Sequence, residues 1–407
     1  MMLLGSAACS SRPDPAAEAE ARKIIDRACD TVSTTEQSAN TTSTAGSSSE
    51  SSAAGEVRVK PGDEVVSMIS NAPAGAVFVF SPGVYQGLSI RPTAGQAFIG
   101  EPGAVLRGDG AGYAFRSDAP DVTIEGLVIE DYAPEAKDGV IHGEQGAQGW
   151  SIADNHIRHN AEIGIDGTNG WSVSRNVISH NGRYGLTLSG PDILVEGNEI
   201  ACNAAEYGAT GDSGGTKFVH TDNLILRDNY VHDNYGNGLW VDINNLDALI
   251  EGNRLVGNER AGVFVEISCG GTIRNNEVEA NGIGNPFPDW MAGSSGIQVA
   301  DTPNVSIYGN VLTDNVKGIG ALQVDHENLE AVTKCDPELR NLSVYDNVIT
   351  QSGGAAAGLD ANNSLGDVWS AWDNSFEGNT YHLSDGAQFR WEGNWVNDEE
   401  WTSEGNS

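Results

Sequence analysis

The sequence predicts an all-β fold in which short strands wind into a stacked coil, a parallel β-helix with a short N-terminal capping helix. Three observations predict it: a repeat of 21 to 37 residues, asparagines that recur in pairs five residues apart, and no helix-length amphipathic segment inside any repeat. The Asn pairs are 155/160, 176/181, 198/203, 229/234, 253/258, 276/281 and 310/315. Each pair brackets one apolar residue (Ile157, Ile178, Ile200, Val231, Leu255, Val278, Leu312) and follows an alternating run such as WSVSRN, ILVEGN or VSIYGN. Nine residues after the first Asn a Gly commonly opens another short strand, as at Gly164, Gly185, Gly238 and Gly262. A single coil cannot bury these apolar residues, so coils must stack, with the inward side chains in columns and the amides free to form hydrogen-bonded ladders at the turns. Asn is suited to that place because it tolerates left-handed backbone and satisfies turn amides, so the asparagines are assigned structure and no chemistry.

The front of the chain fits the same plan. KPGDEVVSMISNAPAGAVFVFSPGVYQGLSI, residues 60 to 90, starts with a short amphipathic helix over 63–71 and continues as strand, PGVY turn and strand. This opening, with the Asn repeats, resembles the right-handed, pectate-lyase-like β-helix superfamily, in which such a helix covers the open first coil; the resemblance spans about residues 56 to 395. An uncovered end would expose both core and strand edges.

Outside that domain, residues 1–9 (MMLLGSAAC) resemble the end of a lipoprotein signal, shortened because MMLL is far briefer than a full apolar region, with Cys9 as the lipidated residue. Residues 10–55 read as a short helix (16–28) followed by a Ser/Thr-rich tether over 31–55, and 396–407 as a polar tail. The expected location is therefore secreted or cell-surface, with membrane contact only through a lipid on Cys9.

With 22 Lys+Arg against 57 Asp+Glu and a net charge of -35, binding to nucleic acid or to an anionic membrane is unfavourable. Five cysteines (9, 29, 202, 269, 335) without a CxxC pair give neither a thiolate metal site nor a dense disulfide framework. Cys269 follows a strand, and Cys335 rides on a long insertion two rungs later that can fold back, so these two are the expected disulfide; two unpaired thiols are the alternative.

Three units carry insertions: Ala204 to Gly214, Gly282 to Ser295 and His326 to Leu339. The first two leave the same edge of the coil and flank two strands, GLWVDINN from Gly238 and GVFVEIS from Gly262, so they wall a groove. Aligned on glycine, GTKFV from Gly215 lies beside GLWVD, and GLWVD beside GVFVE. Strand alternation then turns Leu239, Val241, Val263 and Val265 inward, and Lys217, Trp240, Asp242, Phe264 and Glu266 outward on one face. Asp242 and Glu266, 24 residues apart in sequence, fall on adjacent rungs with carboxylates about 5 Å apart. Like charges stacked this way are destabilising, and one of the two is pushed up in pKa and can stay protonated near neutral pH, which is what an acid and a nucleophile side by side require. The plainer reading, two solvated surface acids, has less force for a pair set beside a Trp and a Phe between two insertions.

GLWVD and VFVEI also resemble strands of β-helix glycosidases of the β-xylosidase type. In those enzymes a GIWLD-like strand supplies the nucleophile and an LFxEV-like strand, one coil later, the acid/base. The resemblance implies Asp242 as nucleophile and Glu266 as acid/base of a retaining glycoside hydrolase that acts on a polysaccharide or oligosaccharide without a cofactor. The chain departs from it after the second strand, with Ser268, Cys269 and Gly270 where a His-Gly segment is usual. Two rival classes remain. In a Ca-dependent polysaccharide lyase or uronate epimerase Lys217 would be the base; a non-catalytic glycan-binding β-helix would need no paired acids. Trp240, Phe264, Tyr235 and Trp290 are candidate sugar platforms, packing under the loops being the alternative, and Asp325, His326, Asp301 and Arg260 candidate groove residues.

Overall fold

The computed structural model describes residues 19–20, 22–32, 56–207, 212–283, 294–324, 333–361, 367–384 and 386–407. Its strands wind as a right-handed parallel β-helix with three strands per turn. One turn comprises Leu239–Asp242, Ala248–Glu251 and Arg254–Val256; the next comprises Val263–Glu266, Gly271–Arg274 and Glu277–Glu279, paired with the first residue for residue. The apolar residues bracketed by the Asn pairs form one inward column, continued by Ile349, in which Ile157, Ile178, Ile200, Val231, Leu255, Val278, Leu312 and Ile349 are all fully buried.

Two Asn ladders run beside this column. In the first, each side-chain amide donates to the Oδ1 of the next Asn, from Asn155 through Asn176, Asn198, Asn229, Asn253, Asn276, Asn310 and Asn347 to Asn379. The second runs from Asn160 to Asn315. The asparagines themselves do not adopt the left-handed conformation expected of them. That role belongs to the residue before each one: Asp154, Arg175, Asp228 and Asp346 have φ between 53° and 55°, and Gly197, Gly252 and Gly309 between 64° and 66°. The left-handed residue turns the chain, and the Asn after it satisfies the amides that the turn leaves open. The recurrent strand-opening Gly has a different cause. A Cβ on Gly238 would lie 2.6 Å from the Gly262 carbonyl oxygen and 3.0 Å from Asn258 Nδ2, so only glycine lets the strand start against the ladder.

Helix Val65–Asn71 buries Val65 and Ile69 over the first coil, where a helix over 63–71 was expected. At the other end the chain departs from the expected polar tail. Asn394–Val396 pairs antiparallel with Ala387–Trp391, and helix Asp398–Ser403 drives Trp401 onto Phe389 at a ring separation of 4.6 Å. Trp401 is 1% exposed and closes the core, a single aromatic hidden among polar residues.

A helix also lies in the N-terminal segment, where a short one over 16–28 was expected. Residues 22–32 form a helix docked on the coil: Ile25 is fully buried, Cys29 is disulfide-bonded to Cys202, and Arg22 pairs with Glu259 at 3.1 Å. Residues 1–18 and most of the tether, from 33 to 55, lie outside the described residues. The expected Cys269–Cys335 bond is formed, with a Cα–Cα distance of 5.6 Å. No helix among the described residues is long and apolar enough to cross a membrane.

Candidate active site

The register aligns the acids as the sequence predicts. Trp240 pairs with Phe264, and Asp242 with Glu266, while Phe218 opposite Val241 sets Lys217 beside Trp240. Leu239, Val241, Val263 and Val265 enter the core; Trp240 and Phe264 pack outside it with Ile163 and Tyr184.

Lys217 is the hub. Its Nζ lies 3.0 Å from Asp242 Oδ2, 3.2 Å from Asp212 Oδ1 and 3.7 Å from the centre of the Trp240 ring. Burial pulls its pKa down, but Asp242 and Asp212 outweigh it and the net shift is upward, so Lys217 is a cation. Asp212 also accepts from Tyr184 Oη at 2.9 Å and pairs with Lys137 at 3.1 Å; burial opposes ionisation, yet Lys217, Lys137 and Tyr184 hold its pKa at about 2.

Glu266 accepts a bond from Trp240 Nε1 at 3.3 Å and has no cation in ion-pair contact among the described residues. Burial first, then the charges of Asp242 and Asp301, push its pKa up to about 8. Burial also raises Asp242, against the pull of Lys217. When the pair shares one proton, the lysine keeps the charge on Asp242 and leaves the proton on Glu266. Burying the Glu266 charge, and setting it beside Asp242, has a cost in stability with a definite sign. The unfolded chain releases the Glu266 proton near 4.5 and the folded one only near 8, so stability falls as pH rises through that window. Glu266→Gln is therefore expected to stabilise the protein by about 2 kcal/mol at pH 8 and by much less at pH 5. Denaturant melts at both pH values check it; equal effects at the two would mean that Glu266 titrates normally.

The turn that follows each acid is strained and held. Ile243 and Ile267, both β-branched, have φ of 56° and 47°. Asn245 Nδ2 donates to the Asp242 carbonyl at 2.9 Å, Ser268 Oγ to the Glu266 carbonyl at 2.9 Å, and Thr302 Oγ1 to the Ala300 carbonyl at 2.7 Å. Asn245 links back to Thr221 and on to Ser268, so a third polar ladder fixes the acid strands at their C-terminal ends. Ser268, where the sequence departs from its resemblance, belongs to this ladder. Cys269 anchors the returning segment, whose Lys334 backbone N–H donates to Asn244 Oδ1 at 2.6 Å.

Other expected site residues fare differently. Trp240 is no sugar platform: Lys217 covers one face of its ring and Phe264 stacks on the other at 5.9 Å and 16°. Phe264 is half-buried on the same face. Tyr235 is a correction. It sits at the other corner of the coil, 5% exposed, packed with Ile25, Cys29 and Cys202 while its hydroxyl donates to Asp26, because the N-terminal helix docks there. Asp301 is fully buried, accepts from Gln323 Nε2 at 2.9 Å and acts on Glu266 through its charge. Arg260 stands at the corner before the Glu266 strand, where its backbone N–H donates to the Gly236 carbonyl at 2.9 Å. Trp290, Asp325 and His326 lie outside the described residues. Sequence reading missed Asp212, Tyr184 and Lys137; Asp212 lies within the first insertion, which was the available signal.

Comparison with known proteins agrees with the architecture. Residues 138–312 match the family model for a right handed beta helix region. The A-module of the mannuronan C-5 epimerase AlgE4 from Azotobacter vinelandii aligns with a TM-score of 0.58 at 17% identity, over 80% of this chain and 90% of its own. A GH87 alpha-1,3-glucanase catalytic unit from Streptomyces thermodiastaticus gives 0.55 at 14%, over 86% and 71%. A mannuronic acid specific polysaccharide family 6 lyase from human gut microbiota gives 0.54 at 13%, over 83% and 86%. Among curated proteins none matches the sequence. The fold is a right-handed parallel β-helix.

Proposed function

We propose that the chain is an extracellular retaining glycoside hydrolase acting on a polysaccharide or oligosaccharide, with Asp242 as nucleophile and Glu266 as acid/base. The observation that carries this reading is the in-register pair on adjacent rungs, with charge held on Asp242 by Lys217 and the proton held on Glu266. Asp242 attacks the anomeric carbon while Glu266 protonates the departing oxygen; Glu266 then takes a proton from water, which releases the sugar with retained configuration. The solved relatives support a carbohydrate substrate, being named as enzymes of mannuronan and alpha-1,3-glucan. Elimination is disfavoured because Lys217, ion-paired to two carboxylates, is a poor base. Two disulfides suit an oxidising compartment, and a lipid on Cys9 would tether the protein at the cell surface.

The test is incubation with aryl glycosides and a panel of oligosaccharides, with the first-formed anomer read by NMR and the pH profile recorded. Retention is expected, with a bell whose basic limb falls near the Glu266 value of about 8 and whose acidic limb lies above the ordinary aspartate value. Calcium chelation leaves turnover unchanged. An inverted product, or an unsaturated uronate end, would sink the reading.

A further inference from the structure

The geometry points to a divalent metal site on the same outer face, formed by Asp138, His142 and Asp166, independent of the hydrolase reading. His142 and Asp166 are paired across adjacent rungs, and Asp138 precedes the strand that carries His142. His142 Nδ1 lies 2.9 Å from Asp166 Oδ2 and 3.8 Å from Asp138 Oδ1. These separations bracket the spacing of about 3.3 Å between ligand atoms that each sit about 2.0–2.2 Å from a tetrahedral ion. Nδ1 is itself buried, and apart from its close contacts with these two carboxylates it has no hydrogen-bond partner among the described residues.

The outer oxygens are already taken. Arg116 Nη1 holds Asp138 Oδ2 at 2.9 Å, and Thr187 Oγ1 donates to Asp166 Oδ1 at 2.9 Å, so one oxygen of each carboxylate is left turned toward the imidazole. Such outer partners orient metal ligands. The close approach is provided for in the backbone: a Cβ on Gly139 would lie 2.6 Å from Asp166 Cβ. Charge allows a cation as well, since among the described residues the arginines paired with Asp138 and Glu144 are Arg116 and Arg91, against three carboxylates with Asp166. One nitrogen and two carboxylate oxygens suit zinc or manganese rather than calcium, which takes six to eight oxygens. Asp166 stands three rungs from Asp242 and two residues along the strand, about 16 Å, so the ion would bind a remote sugar oxygen or water and take no part in bond cleavage. No spacing motif announces the site, because register alone brings residues 138, 142 and 166 together.

The experiment uses the full chain, stripped of metal and titrated with Mn²⁺, followed by loss of the free-ion EPR signal, and with Zn²⁺, followed by calorimetry. One ion per chain is expected, with ¹⁴N modulation from imidazole in the electron spin echo of bound Mn²⁺. Asp166→Asn should weaken binding at least tenfold, and Thr187→Val, which keeps all three ligands, by roughly tenfold. The unaltered protein alone already decides the matter: no stoichiometric binding, or bound Mn²⁺ without ¹⁴N modulation, overturns the proposal. So does binding that survives Asp166→Asn but is lost in Asp242→Asn, which would put the ion among the acids around Lys217.

Discussion

Asp242→Asn is expected to lower turnover of every substrate by on the order of 10³-fold or more, whereas Glu266→Gln should do so only where the leaving group is poor. The asymmetry follows from the two roles. An amide cannot form the glycosyl-enzyme bond, so the first step fails whatever leaves. An activated phenolate needs no proton, so without Glu266 the first step survives and the second, which needs a base, becomes limiting. Pre-steady-state kinetics should then show a burst of phenolate in Glu266→Gln and none in Asp242→Asn. The pH profile adds a control that a merely structural role would not move: the basic limb near 8 should vanish in Glu266→Gln. Equal losses of activity on both substrate types, with the basic limb kept, would remove Glu266 from the role of acid.

Much of this arrangement was legible in the sequence because the β-helix converts a repeat directly into register. Once Gly215, Gly238 and Gly262 are aligned, strand alternation fixes which side chains share a face, and the observed pairs follow. The Cys269–Cys335 bond was legible for the same reason, as rung positions translate into distances. What the repeat does not encode was missed. Cys29 lies far from the coil in sequence, so its bond to Cys202, and with it the burial of Tyr235, has no periodic signal. Trp240 was rightly turned outward, but the covering of both its faces depends on the Lys217 rotamer and the Phe264 ring, which alternation leaves open. Asp212 reaches Lys217 from an insertion, where no register applies.

The Asn ladder offers the largest expected effect on stability. Asn253 is 1% exposed; its Nδ2 donates to the carbonyls of Leu226 and Glu251 and to Asn276 Oδ1, and its own Oδ1 accepts both N–H and Nδ2–H of Asn229. Asn253→Ala deletes all of these and leaves the Asn229 donors and the Leu226 carbonyl buried without partners. At about 1–3 kcal/mol for each stranded group, partly relieved by relaxation, the loss should be about 3–5 kcal/mol. Asn379 ends the same ladder and accepts the same two bonds from Asn347, but it is only half-buried. Water can replace it, so Asn379→Ala should cost about 1 kcal/mol. Because coils couple mainly to their neighbours, the damage at Asn253 should also be local, and hydrogen exchange should accelerate in the adjoining coils before the ends. Similar losses at the two positions would mean that the amides cap turns one at a time and that the ladder has no continuity; a loss below about 1 kcal/mol at Asn253 would mean that the apolar column alone holds the coils in register.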